Sequence, residues 1–247
     1  MIPSSAFTLV EVMMAAAILG VFLMVSYKLF IGGQKTATKA AWTNFAVDRL
    51  RNATQLINQE LKKATFPTTL LTDAVKDPSN VKDLNFGKEY FVKIHPNSDN
   101  DNGGKFEASE IPDNSEKIVM KWVICEPERP PQPGKMQKKE MVFIPVKNTL
   151  VKVGQLRVRS RSYTYDTTGL PNYVESVPAF KPTEIQKSFT DTQLLDDVQW
   201  IRFNIPEFSK DPQRIKIEFH CQCPQDPKTF KDNFTTITPN TGVSALE

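Results

Sequence analysis

Several groups of side chains in this sequence have types and spacings that chemistry can use. Glu11 stands alone as a carboxylate inside an almost wholly apolar run, Phe7 to Phe30. A charged group in hydrocarbon is costly and is kept where it has a partner, so Glu11 calls for a cation in the same layer. The stretch DNDNGGKFEASE (99–110) puts Asp99, Asp101 and Glu110 at the first, third and last positions of a near-match to a calcium loop, which surrounds a hard cation with oxygen ligands. Gly103 occupies a position that normally supplies a ligand, and the same composition also makes an ordinary turn. Cys221 and Cys223 fall on one side of a strand and Cys125 at the end of another, open to a disulfide, a zinc site or burial as thiols. His220 points away from both neighbouring cysteines in a regular strand, which disfavours zinc. Arg157, Arg159 and Arg161 line one strand face, a row that can grip the phosphates of DNA. Alternation alone produces such a row on any solvated strand, so DNA is not the expected partner.

Catalytic patterns are missing from the chain. It has two histidines, His95 and His220, and no nucleophile elbow, phosphate loop or paired-carboxylate constellation. No enzyme is expected and no cofactor is required, calcium at 99–110 being the one candidate. The near balance of 31 Lys and Arg against 28 Asp and Glu gives no electrostatic reason to expect nucleic acid.

The element that must position Glu11 is a helix. About 20 apolar residues cross a hydrocarbon core roughly 30 Å thick, and the run from Phe7 to Phe30 is long enough. It has no basic stretch before it and no small-residue cleavage site after it, so it does not read as a secretory signal. Beyond it Trp42, Phe45, Ala46, Leu50, Ala53, Ile57, Leu61 and Ala64 recur every three or four residues, with polar residues on the other side. One helix from about Phe7 to Ala64 is expected, roughly 85 Å long, ended by Pro67, with Gly20 and the Gly32 and Gly33 pair as its soft points.

The segment AFTLVEV (6–12) followed by an apolar helix resembles the N-terminus of type IV pilin-like proteins. That resemblance implies a leader at residues 1–6, cleavage between Ala6 and Phe7 by a prepilin peptidase, N-methylation of Phe7, and an assembly role for Glu11. Glu11 would then pair with the N-terminal amine of a neighbouring subunit as each chain leaves the membrane. The leader here departs from the family in having no Lys or Arg and in ending with Ala. Lys28, Lys35 and Lys39, just past the span, would by the positive-inside rule place the large domain in the cytoplasm. A basic leader extension upstream of Met1 is the expected resolution.

The remainder, 65–247, alternates in short apolar runs. Strands are expected at 89–94, 117–124, 141–144, 150–165, 198–205 and 215–219, separated by proline-rich turns, with no further helix. Turns between strands imply an antiparallel sheet, and the apolar stripe of the amphipathic segment 34–64 would pack on it. The expected class is α+β: a membrane and assembly helix at 7–33, an amphipathic helix at 34–64, and a β-rich domain outside the cytoplasm. The pattern of 50–64 and of LLDDVQWIRF (194–203) is similar to the larger minor members of the family, the J-type pseudopilins of type II secretion and the W-type minor pilins. In such an envelope protein a disulfide from Cys125 to Cys221 or Cys223 is expected. The resemblance further implies residence in the bacterial inner membrane and then in a fibre. Its partners would be the prepilin peptidase, the assembly platform, other pilin or pseudopilin subunits and the lipid bilayer. The alternative is a membrane-anchored binding protein that recognises a ligand or DNA without polymerising.

Overall fold

The computed structural model describes residues 8–65, 92–95, 104–113, 115–126, 135–147, 149–166, 183–204, 214–241 and 243–245. The fold is α+β: one helix, α1 (Leu9–Lys62), and nine strands among the described residues. The chain divides into two compact units, Met1–Phe45 and Ala46–Glu247, so the division falls within α1.

From Leu9 to Val25 α1 is apolar on every side apart from Glu11. Its apolar window has a mean hydropathy of 2.3 and none of it is buried, so by length and composition the helix can cross a membrane. Large side chains such as Leu9, Ile18, Phe22 and Leu29 are exposed throughout. A helix apolar all round finds no partner for its surface in water and belongs in a membrane or between other helices.

In the second unit the helix turns one stripe to the core. Ala46, Leu50, Ala53, Ile57 and Leu61 recur at spacings of three and four and are buried, while Arg51, Gln55 and Gln59 on the opposite side are exposed. Each buried large aliphatic side chain contributes roughly 1.5–3 kcal/mol. After Lys62 the helix ends: Asn240 donates its amide to the Lys62 carbonyl at 2.7 Å, satisfying one of the carbonyls a helix end leaves open.

The strands are β1 (Val92–Ile94), β2 (Lys105–Glu107), β3 (Lys117–Glu126), β4 (Lys135–Pro145), β5 (Gly154–Asp166), β6 (Thr183–Asn204), β7 (Ile215–Gln222), β8 (Phe230–Ile237) and β9 (Val243–Ala245). They form one sheet in the order β8-β7-β6-β5-β4-β3-β1-β9, with β2 on β6. The pairs are antiparallel apart from β9, which lies parallel to β1. Inward residues alternate as expected of a sheet covered on one face: Ile215, Ile217, Phe219 and Cys221 of β7 are buried, while Lys216, Glu218 and His220 between them are half-buried. Trp122, Phe106, Phe143, Phe203 and Phe219 are the largest wholly buried side chains of this core.

Strand β6 changes partners along its length. Its first part pairs with β5, and its last residues, from Val198, pair with β7 while Trp200 to Arg202 also carry β2. Asp197, at φ 55°, stands where the pairing of β6 with β5 shifts register. A left-handed residue in a strand marks a bulge that re-aims the chain, and Asp tolerates that conformation better than most side chains.

Candidate functional site

The start of α1 is built around Thr8 and Glu11. Thr8 precedes the first helical residue, and its hydroxyl oxygen accepts the Glu11 backbone N–H at 3.4 Å. In return, Glu11 Oε2 accepts both the Thr8 backbone N–H and the Thr8 hydroxyl, each at 2.9 Å. This reciprocal arrangement is a capping box, which satisfies donors that a helix start would otherwise leave unpaired. In hydrocarbon, where no water replaces a missing bond, such satisfaction matters more than in solution. The Val12 N–H already donates to the Thr8 carbonyl at 3.2 Å, so the first full turn closes at Thr8.

Two consequences follow for Glu11. Its carboxylate is held close to the N-terminal end of the helix, where the helix dipole favours negative charge. One oxygen, Oε2, carries the capping bonds, and Oε1 has no partner among the described residues. The group is therefore oriented with one oxygen left for a cation. Ala6 and Phe7, expected to flank the cleaved bond, lie outside the described residues. Thr8 is the functional residue that the sequence reading missed, although the pattern Thr-x-x-Glu ahead of an apolar run was its signal.

The other residue groups lie in the second unit. Asp99 and Asp101 lie outside the described residues; Glu110 is exposed in a turn and donates its N–H to the Glu107 carbonyl at 3.1 Å. Among the described residues no cluster of three or more His, Cys, Asp or Glu side chains is arranged to hold a metal ion.

Cys125, Cys221 and Cys223 are all free and buried. The disulfide expected from Cys125 to Cys221 or Cys223 is not formed. Cys125 is in β3 and Cys221 in β7, four strand spacings apart along the sheet, about 19 Å at the usual interstrand distance. A disulfide needs Cα atoms within about 7 Å. Burial pushes the Cys125 thiol up to about 12 and raises Cys221 as well, so neither is readily a nucleophile. His220 faces away from Cys221, as expected. It lies between the rings of Trp200 and Phe230, each at 5.1 Å, and its Nδ1 meets Asp232.

Two of the three arginines in the row are engaged within the sheet, and Arg161 is exposed. Arg159 meets Glu116 through two bonds of 2.6 and 2.7 Å and Asp191 at 3.3 Å, while Arg157 meets Asp191 at 2.9 Å. Lys121, Glu140, Arg159 and Asp191 stand directly opposite one another on β3, β4, β5 and β6, so the charges alternate in sign across four strands. Opposite charges in facing positions stabilise a sheet, which accounts for Arg157 and Arg159 without a nucleic acid. The hydrogen bonds from Arg159 hold the Glu116 carboxyl below its usual range. Burial alone would raise Asp191, but the bonds and charges of Arg157 and Arg159 outweigh it and hold it low.

Among known families, the one described as the prokaryotic N-terminal methylation motif matches residues 1–27. No curated protein and no solved structure matches the chain. The matched segment contains Thr8, Glu11 and most of the apolar part of α1, the elements from which the helix start is built. The motif at residues 1–27 is a type IV pilin signal, and it supports a pilin-like subunit that a prepilin peptidase processes.

Proposed function

We propose that this chain is a minor pilin or pseudopilin, a structural subunit of a type IV pilus or a type II secretion pseudopilus placed at or near the tip of the fibre. Support comes from one conjunction: the methylation motif at 1–27 opens a helix whose first part is apolar on every side and whose later part is built into a β-sheet domain. The subunit waits in the bacterial inner membrane with its β-domain outside the cytoplasm. A prepilin peptidase then cuts between Ala6 and Phe7 and methylates the new amine.

Glu11 gives the assembly step its chemistry. The carboxylate, held by Thr8 through one oxygen, offers the other to the N-terminal ammonium of a neighbouring subunit. Two charges meeting in hydrocarbon hold each other only in good geometry, and a carboxylate fixed by its own helix start meets that condition.

Mass spectrometry of the N-terminus tests the processing. A chain that begins at N-methylated Phe7 is the expected result; an intact Met1 on the membrane-inserted protein favours an uncleaved anchor whose β-domain binds a ligand without polymerising. For assembly, Glu11→Ala is expected to leave insertion and cleavage intact while reducing incorporation into sheared fibres at least about tenfold. Incorporation at the wild-type level would remove Glu11 from the assembly step.

A further inference from the structure

Immediately after the apolar run, the sequence of α1 turns cationic. Between Glu11 and Asp48 the sequence contains Lys28, Lys35 and Lys39 and no Asp or Glu. All three lysines are exposed on α1. Offsets of 7 and 11 residues at 100° per residue put them within about 40° of arc, so they form one stripe. Trp42, seven residues past Lys35, extends the same stripe, and the exposed Tyr27 precedes it. Lysines with Trp and Tyr at the end of a span are the residue types that settle at a membrane–water interface.

We propose that this stripe is a lipid-binding surface. On this reading, Lys28, Lys35 and Lys39 engage the phosphate groups of acidic phospholipids in the leaflet from which the helix emerges. The proposal rests on the reading that α1 crosses the membrane. Contiguity selects the occupant, because Lys28 follows the apolar run directly and the nearest surface to it is the bilayer. Charge selects the class of lipid, since each lysine near an acidic membrane is attracted whereas a neutral one offers little.

Reach is the difficulty for an upright helix. Lys35 and Lys39 would stand about 10 and 16 Å beyond Lys28, at or past the distance over which salt screens a surface charge. Gly32 and Gly33 lie between Lys28 and Lys35 and address it. A Cβ added to either glycine meets nothing within 4 Å, so packing within this chain does not require them. Each costs about 1 kcal/mol against alanine in a helix, and their presence makes this turn the easiest to bend. Thr36 donates its hydroxyl to the Gly32 carbonyl at 3.0 Å, a bond back along the helix that favours bending at the same point. A lean here brings Lys35, Lys39 and Trp42 down to the headgroups together.

Hydrogen exchange on the full chain in lipid nanodiscs tests this, comparing phosphatidylcholine alone with phosphatidylcholine containing phosphatidylglycerol. Amides of residues 34–45 are expected to exchange at least about tenfold more slowly in the acidic discs, and K28Q/K35Q/K39Q to abolish the difference. Equal exchange in the two discs would overturn the proposal and leave the stripe to an acidic protein surface. Slow exchange retained by the triple variant would overturn it too. Residues 12–26 serve as the control: if they exchange freely in both discs, the span itself fails and this surface with it; if they stay protected, the lysines alone are being judged.

Discussion

Thr8 and Glu11 divide one carboxylate between two tasks, capping the helix and presenting a charge. The division can be separated by substitution. Thr8→Ala removes the hydroxyl that accepts the Glu11 N–H, and a lost N-cap costs about 1 kcal/mol, whereas Thr8→Ser keeps the bond. Amide exchange at residues 9–12 in micelles should accelerate about fivefold in the first variant and stay near wild type in the second. Gly154 makes a different demand. A Cβ there would lie 2.3 Å from the Phe143 ring and 2.8 Å from the Ile144 carbonyl oxygen. Phe143 is wholly buried and has little room to yield. Gly154→Ala is therefore expected to cost about 1–3 kcal/mol, read as a lower urea midpoint for the β-domain. Glu11 was legible as an anomaly in the sequence because one charge among apolar residues needs no structure to be noticed. Gly154 was not, since a close approach across two strands depends on register.

At the level of elements, what the sequence disclosed depended on whether burial imprinted a period. Helix α1 and the strand at 215–219 were readable because each has an inward and an outward side that differ in polarity, and the strands at 117–124 and 141–144 because they are short apolar runs. Strand β8 was missed for the opposite reason. Phe230 and Phe234 face solvent while Asn233 and Thr235 turn inward, Asn233 donating to Thr54 Oγ1 of α1 at 2.9 Å. Residues 188–193 of β6 are exposed on both sides and so carry no alternation to read. The three-residue strands β2 and β9 are too short to show one. The cysteines illustrate the limit of spacing, because strand order decides which thiols can meet. Arg159 and the two carboxylates it binds make a pH prediction. Glu116 and Asp191 are both held low, so the stability they contribute is complete above the ordinary carboxylate range and is lost as pH falls through their lowered values. Arg159→Gln lets both carboxyls move back up, and acid unfolding followed by circular dichroism should begin at a higher pH than in the wild type.

For the whole molecule, the proposed pilin or pseudopilin role asks one chain to do in succession what few do: reside in lipid, be cut, and then hold a place in a fibre. On that reading the first unit carries the surface for residence and assembly, and the second carries the β-domain. If the fibre is retracted or pushed, load enters each β-domain along α1. The residues that moor Ala46 to Lys62 then decide how it is resisted. Arg49 to Asp196, Thr54 to Asn233, Glu60 to Lys139 and the Lys62 carbonyl to Asn240 are spread along the helix and end on β6, β8, β4 and the segment before β9. Pulling along the helix axis loads these ties in parallel, in shear, together with the buried stripe from Leu50 to Leu61. Peeling the helix from the sheet would break them one at a time at lower force. The polar contacts scattered over this seam thus make the domain strongest in the direction along which a fibre would pull it.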